Sequence, residues 1–291
     1  MYKIIILFFS ILLLFTSCSS KYDERLKIST TNWVGYIPLL YIKERGWLEK
    51  LNIKLLNVSS LAENMYLYKA GNSDAFVGTQ YEYQILKKDN LSLKPIIMFD
   101  RSNGGDLVMS NFSIEELQNT NKQIEAYLEI DSINNVVLKD FINTYNLKDK
   151  KINYINQDQA KIELLKPSSN PMVVVTYVPY NFALEKNGFK ELLSTKDNYN
   201  LLVCDAMFTK AEIFNKHEKQ FLELKKLIDQ SIEILNKDPK AFYSVVKPYI
   251  SDMNYDEFKQ ALDDIVWINK NMNDDLKNRL IKSNFPIRDL L

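Results

Sequence analysis

"LKISTTNWVGYIPLLYIKERGWLEKLNIKLLNV", residues 26–58, holds a strand, a loop, a helix and a second strand in one stretch. "LKISTT" (26–31) and "NIKLLNV" (52–58) are short apolar-rich runs of strand length. Between them, Pro38 suits the first turn of a helix over 36–45. Gly46 suits the left-handed residue that closes it, with Trp47 packing back on Ile42. Asn32, Trp33 and Gly35 are left over. They follow a strand's carboxyl end, where open α/β sheets place their ligands, and capping does not use them up. The stretch therefore divides at about Tyr36, with pocket before it and scaffold after it.

The same alternation continues along the chain. Further strands are expected at 74–78, 94–100, 106–110, 123–128, 151–156, 171–177 and 200–208. Amphipathic helices are expected at 61–70, 80–88, 133–146 and 179–187. Strands alternating with helices of this length predict an α/β protein with a largely parallel sheet. Near-continuous apolar runs such as "MVVVTYV" suit strands covered on both faces. Beyond about residue 210 the pattern becomes helical and charged. There Phe221, Leu224, Ile228, Ile232 and Leu235 recur on one helical face, and "NYDEFKQALDDIVWIN" reads as a further helix.

The first residues point to export. Lys3 precedes an apolar run, Ile4–Phe15, that is too short to span a bilayer and fits a secretory segment. It ends in "LFTSCSS", which resembles a bacterial lipobox with Cys18 as the lipidated residue. Residues 1–17 are then the signal peptide and 18–25 a polar tether, leaving the protein lipid-anchored on the periplasmic or cell-surface side of a membrane. Cys204, in the apolar run "NLLVCDAMF", is expected to be a buried thiol without a disulfide partner. Without residues 1–17 the chain carries 36 basic against 37 acidic residues and no basic block, which argues against nucleic acid as a partner.

Enzymatic signatures are sparse. The single histidine, His217, lies in the charged stretch "NKHEKQ" and is expected at the surface. A zinc site of familiar spacing is absent, and a serine or cysteine nucleophile lacks its usual base. Neither a P-loop nor G-x-G-x-x-G occurs. No catalytic residue, metal or cofactor is expected. Asp263-Asp264 and Asp274-Asp275 read as solvated helix faces.

Five loops at strand ends remain. Their candidate ligand-binding residues are Asn32 and Trp33; Gln80 and Tyr81; Asp100, Ser102 and Asp106; Asp131 and Ser132; and Tyr177. Aromatic walls with a few polar groups describe a small-molecule cleft.

Four stretches carry a resemblance: "TTNWVGYIPLLYIKERGWLEKLNIKLLNV" (30–58), "YKAGNSDAFVGTQ" (68–80), "IIMFDRSNGGDLVMS" (96–110) and "VTYVPYNFALEKNGF" (175–189). In this order they resemble the solute-binding proteins of ABC importers in the nitrate/sulfonate/taurine and thiamine-precursor family, over about residues 26–270. The resemblance implies a two-lobed periplasmic-binding-protein-like (type II) α/β fold with a mainly helical C-terminal segment. Lobe 1 would hold 26–104 plus 205–291, and lobe 2 would hold 105–204. It also implies a monomer that binds a small-molecule ligand and delivers it to an ABC permease and its ATPase. Where relatives often show Trp-Glu-Pro-Trp, this chain has Tyr177-Val178-Pro179-Tyr180. The acids Asp100, Asp106, Glu129 and Asp131 favour a neutral or cationic, pyrimidine- or amine-like ligand over a sulfonate or nitrate. The alternatives are a ligand-sensing lipoprotein that docks to a signalling partner, or a thiamine-pyrimidine-synthase-like enzyme.

Overall fold

The computed structural model describes residues 22–196, 201–250, 253–268 and 272–291. The expected signal segment 1–17 and Cys18 lie outside them.

The opening stretch forms β1 (Leu26–Thr30), a 3-10 turn (Val34–Tyr36), α1 (Ile37–Glu44), α2 (Trp47–Lys50) and β2 (Ile53–Asn57). Pro38 sits in the first turn of α1. Gly46 takes φ +67°, the left-handed conformation a side chain resists. Trp47 meets the edge of Tyr41 at 6.0 Å, and Tyr41 in turn stacks on Phe242 at 4.3 Å. β1 and β2 pair in parallel, Leu26 opposite Ile53. The chain goes on through α3 (Leu61–Lys69), β3 (Ala75–Thr79), α4 (Gln80–Asp89) and β4 (Leu93–Ser102). Ser60 caps α3, and Thr79 with Glu82 forms a capping box on α4.

After β4 the chain crosses to a second sheet. This contains β5 (Asp106–Ser110), β6 (Ile124–Leu128), β7 (Ile152–Asn156), β8 (Met172–Tyr177) and β9 (Lys190–Ser194), in the order β7-β6-β8-β5-β9. Helices α5 (Ile114–Asn119), α6 (Asn134–Thr144), α7 (Gln159–Ile162) and α8 (Asn181–Asn187) join its strands. β8 is buried along its whole length, as a strand covered on both faces must be.

The chain then returns as β10 (Cys204–Lys210), which inserts antiparallel between β3 and β4 of the first sheet. Helix α9 (Ala211–Lys237) follows and packs on α1, with the Ser231 hydroxyl donating to the Pro38 carbonyl at 3.3 Å. The expected apolar face of Phe221, Leu224, Ile228, Ile232 and Leu235 is entirely buried. α10 (Pro239–Val246), α11 (Tyr255–Asp263), β11 (Ile265–Trp267) and α12 (Asp274–Lys282) complete the chain, giving the first sheet the order β11-β4-β10-β3-β1-β2.

Two local expectations are corrected. The helix read over "NYDEFKQALDDIVWIN" stops at Asp263, because β-branched Ile265 and Val266 with Trp267 add an edge strand to β4. Asp264 is therefore a half-buried turn residue, whereas Asp274 and Asp275 are exposed. His217 is buried at a kink inside α9, and its Nδ1 lies 2.6 Å from Gln220 Oε1. Cys204 is fully buried, and burial raises its thiol pKa.

Candidate functional site

The carboxyl ends of β1, β3 and β4 in the first sheet face that of β8 in the second. Two segments cross between the sheets here, one over 102–106 and one leading back into β10. Hydrogen bonds knit them together. Ser102 N–H donates to the Val203 carbonyl at 3.0 Å. The Ser102 and Thr195 hydroxyls meet at 2.7 Å, and Gly104 N–H donates to Thr195 Oγ1 at 2.8 Å. Glycine is needed at 104 and 105. A β-carbon at Gly104, already at φ +129°, would lie 2.6 Å from Asp264 Oδ1, and one at Gly105 would lie 2.3 Å from Trp33 Cη2.

Beside the crossings lies a small void of about 10 Å³, room for about one water, among buried side chains. Trp33, Tyr36, Thr79 and Asp205 line it from the first sheet's side, and Asp106 and Tyr177 from the second's. The Trp33 ring meets the edge of Tyr177 at 5.9 Å, and its Nε1–H donates to Asp100 Oδ1 at 3.4 Å. Gly35 allows this approach, since a β-carbon there would fall 2.1 Å from Asp100 Oδ2. Tyr36 donates its hydroxyl to Asp205.

The electrostatics are one-sided. Asp100, Asp106, Asp205, Glu82 and Glu129 are all at least 96% buried, and no Lys, Arg or His lines the void. Burial dominates the titration of every one. It pushes Asp106 up to about 7 and Glu129 up to about 8. Asp100 and Asp205 lie directly opposite each other in the β4–β10 register, and both stand well above the usual carboxylate range. Like charges this close share a proton more readily than both ionise.

Glu82 and Glu129 differ from the three aspartates because helix starts satisfy them. Glu129 accepts from Leu61 N–H at the start of α3 (3.2 Å) and from Gln159 N–H at the start of α7 (3.3 Å). Glu82 accepts from Thr79 N–H (2.8 Å) and, across the lobes, from Ile133 N–H beside the start of α6 (2.9 Å). The helix ends that would attract an anionic ligand are thus occupied by the protein's own carboxylates.

The candidate residues separate into two groups. Trp33, Asp106 and Tyr177 come together around the void; Asp100 does not line it but accepts from Trp33 and stands opposite Asp205, which do. Asn32 lies in another groove of about 430 Å³, and its Oδ1 accepts from Asn57 Nδ2. Gln80 is spent on the return crossing, donating to the Leu202 carbonyl and accepting from Cys204 N–H. Ser102 belongs to the crossing itself, and Tyr81 reaches over to Asn135 in the second lobe. Asp131 is exposed and accepts from the Tyr66 hydroxyl at 2.6 Å. Ser132 closes a local turn by donating to the Glu129 carbonyl at 2.8 Å. Sequence reasoning passed over Tyr36, Glu82 and Asp205. The signal for Asp205 was an acid inside the apolar strand run "NLLVCDAMF".

Among the described residues no group of three or more His, Cys, Asp or Glu is arranged to hold a metal ion. A wider groove of about 920 Å³, lined by Lys87, Lys88, Lys94 and Arg288, lies away from the crossings within the first lobe.

No protein-family model matches the chain, and comparison with curated protein sequences finds no match. Solved structures do match. A ligand-binding component of an ABC-type import system from Staphylococcus aureus, with zinc bound, superposes with a TM-score of 0.71 at 12% identity, covering 90% of this chain and 92% of that one. The alkanesulfonate-binding protein SsuA from Xanthomonas axonopodis pv. citri, bound to MOPS, gives 0.71 at 10% identity, with 91% and 93% covered. A Candida albicans gene product described as having the generic periplasmic binding protein structural fold gives 0.65 at 11% identity, with 90% and 96% covered. The chain therefore has the two-lobed periplasmic binding protein fold, closed by a largely helical C-terminal segment.

Proposed function

We propose that this protein is a solute-binding receptor that closes its lobes over a small molecule and delivers it to an ABC-type permease and its ATPase. One observation carries the reading. A buried void at the carboxyl ends of the strands is lined from both sheets, beside the only two chain crossings among the described residues. That is where hinged two-lobed proteins take their ligands. In this reading 26–104 with 205–291 form one lobe and 105–204 the other. Trp33, Asp100, Asp106, Tyr177, Tyr36 and Asp205 contact ligand, while Gln80, Ser102 and Tyr81 hold the closed geometry.

The ligand is neutral or cationic, because carboxylates fill the cleft and no basic side chain lines it. An anion would look to the helix ends that Glu82 and Glu129 occupy here. Cys18 anchors the receptor by lipid on the periplasmic or cell-surface side, and the protein works as a monomer.

Small-angle scattering during a solute screen tests the receptor reading. A bound solute should shrink the radius of gyration and raise the melting temperature, the latter equivalent to ~2.7 kcal/mol at a hundredfold excess over Kd. A solute that binds tightly without bringing the lobes together would refute it.

A further inference from the structure

Resting on that receptor reading, the orphaned acceptors around the void name the ligand class. Asp100 Oδ2, Asp205 Oδ2 and the Tyr177 hydroxyl are fully buried, and apart from the two aspartates facing each other across β4 and β10 they have no hydrogen-bond partner. Unpaired buried polar atoms are costly, and with Asp205 and Tyr177 lining the void and Asp100 opposite Asp205 in the sheet they mark a place built for a donor. They are acceptors or can act as acceptors, and two belong to carboxyl groups. Asp106 adds a third carboxyl from the opposite lobe.

Anions are disfavoured on two grounds. No cationic side chain faces the void, and the neighbouring helix starts are already satisfied by Glu82 and Glu129. A quaternary ammonium would gain from the faces of Trp33, Tyr36 and Tyr177, but it has no N–H to give the orphaned oxygens. A neutral heterocycle would leave the charge that the Asp100–Asp205 pair keeps after sharing one proton without a counter-charge.

We propose that the solute is a protonated primary amine, whose ammonium group sits between Asp100, Asp205 and Asp106 and donates to the unpartnered oxygens. The void as it stands has room for the ammonium alone, so the carbon skeleton lies against Trp33 and Tyr177 with the lobes set further apart than here. Seating the ammonium ionises both members of the Asp100–Asp205 pair, so the proton they share leaves to solvent as the amine enters.

Calorimetry on the full chain, with ethylammonium, putrescine, choline, ethanesulfonate, nitrate and a neutral aminopyrimidine as probes, tests this. At least one of the two primary amines should bind, with choline weaker by at least about tenfold. The heat should vary with buffer ionisation in the sense of proton release. Asp205→Asn should weaken amine binding by about tenfold or more, and Tyr177→Phe, which keeps the ring, by about five- to tenfold.

Choline binding as tightly as the amines, or failure of both amines, overturns the proposal. So does unchanged amine affinity in Tyr177→Phe, which provides a second test should Asp205→Asn not fold. Ethanesulfonate, nitrate or the pyrimidine binding with lobe closure would overturn the amine assignment and leave the receptor reading standing. Amine binding without lobe closure would do the reverse.

Discussion

Raising the pH from about 5 to about 9 should open the lobes of the unliganded protein. Glu129 sits in the lobe interface, faced by Glu82, Asp158 and the N–H groups of Leu61 and Gln159, and burial lifts it from 4.5 to about 8. Asp106, faced by Ser102 and Glu82, rises from 3.8 to about 7. A separated pair of lobes lets water reach both groups and returns them towards ordinary values. Below their ordinary values both are neutral in either state, and closure is unopposed. As the pH climbs, the open form loses its protons first. The advantage of the closed form is then lost as the pH passes through about 7 to 8.

At about 1.4 kcal/mol per tenfold change in proton affinity, Glu129 alone sets a ceiling near 5 kcal/mol and Asp106 one near 4 kcal/mol. Water penetration and local relaxation reduce both. Even a third of one ceiling, ~1.5 kcal/mol, moves the closed-to-open ratio about tenfold. Small-angle scattering across the range should show a rise in radius of gyration as the pH climbs from about 5, complete by about pH 8. The combined Glu129→Gln and Asp106→Asn variant should flatten it. A radius that stays constant from acid to alkaline pH, or a full transition in the double variant, would refute the reasoning.

Three further changes probe other levels of the structure. Gly105→Ala places a β-carbon 2.3 Å from Trp33 Cη2 in the closed form and should cost closure ~1–3 kcal/mol, weakening solute binding about 5- to 150-fold in titration calorimetry while circular dichroism stays unchanged. Phe221→Ala, at a fully buried position on α9, should lower stability by ~3–5 kcal/mol in denaturant unfolding, whereas Asn254→Ala, which removes the capping box of α11, should cost only ~1 kcal/mol. Cys18→Ala should move the protein from the membrane to the soluble fraction on cell fractionation, because a single unlipidated terminus cannot hold it there.

Most of the scaffold was readable locally because each strand carries its own apolar run and each helix its own cap. β5, "DLVMS", begins and ends where the pattern placed it, and α3 and α4 start at residues 61 and 80. β9 and β11 escaped because they are short edge strands whose pairing partners, not their own composition, hold them extended. Within the site, Trp33 and Tyr177 were legible as aromatics at strand ends. Asp205 was not, since its meaning depends on standing opposite Asp100 in a pairing over a hundred residues apart. Asp131 misled for the opposite reason. It has the sequence position of a helix-end ligand, yet the buried Glu129 two residues earlier takes the cleft and leaves Asp131 to Tyr66 at the rim.

The placement of β10 also sets an order of events as the chain emerges amino end first. Every strand of the second sheet lies between residues 106 and 194, so that sheet can be completed as soon as this one stretch has emerged. The first sheet cannot close, because its β3 and β4 flank a gap that only residues 204–210 fill. The half of the protein made first must therefore wait, its central strand edges unpaired, while the half made second folds. Residues 26–102 are then the part of the nascent chain most in need of protection from aggregation.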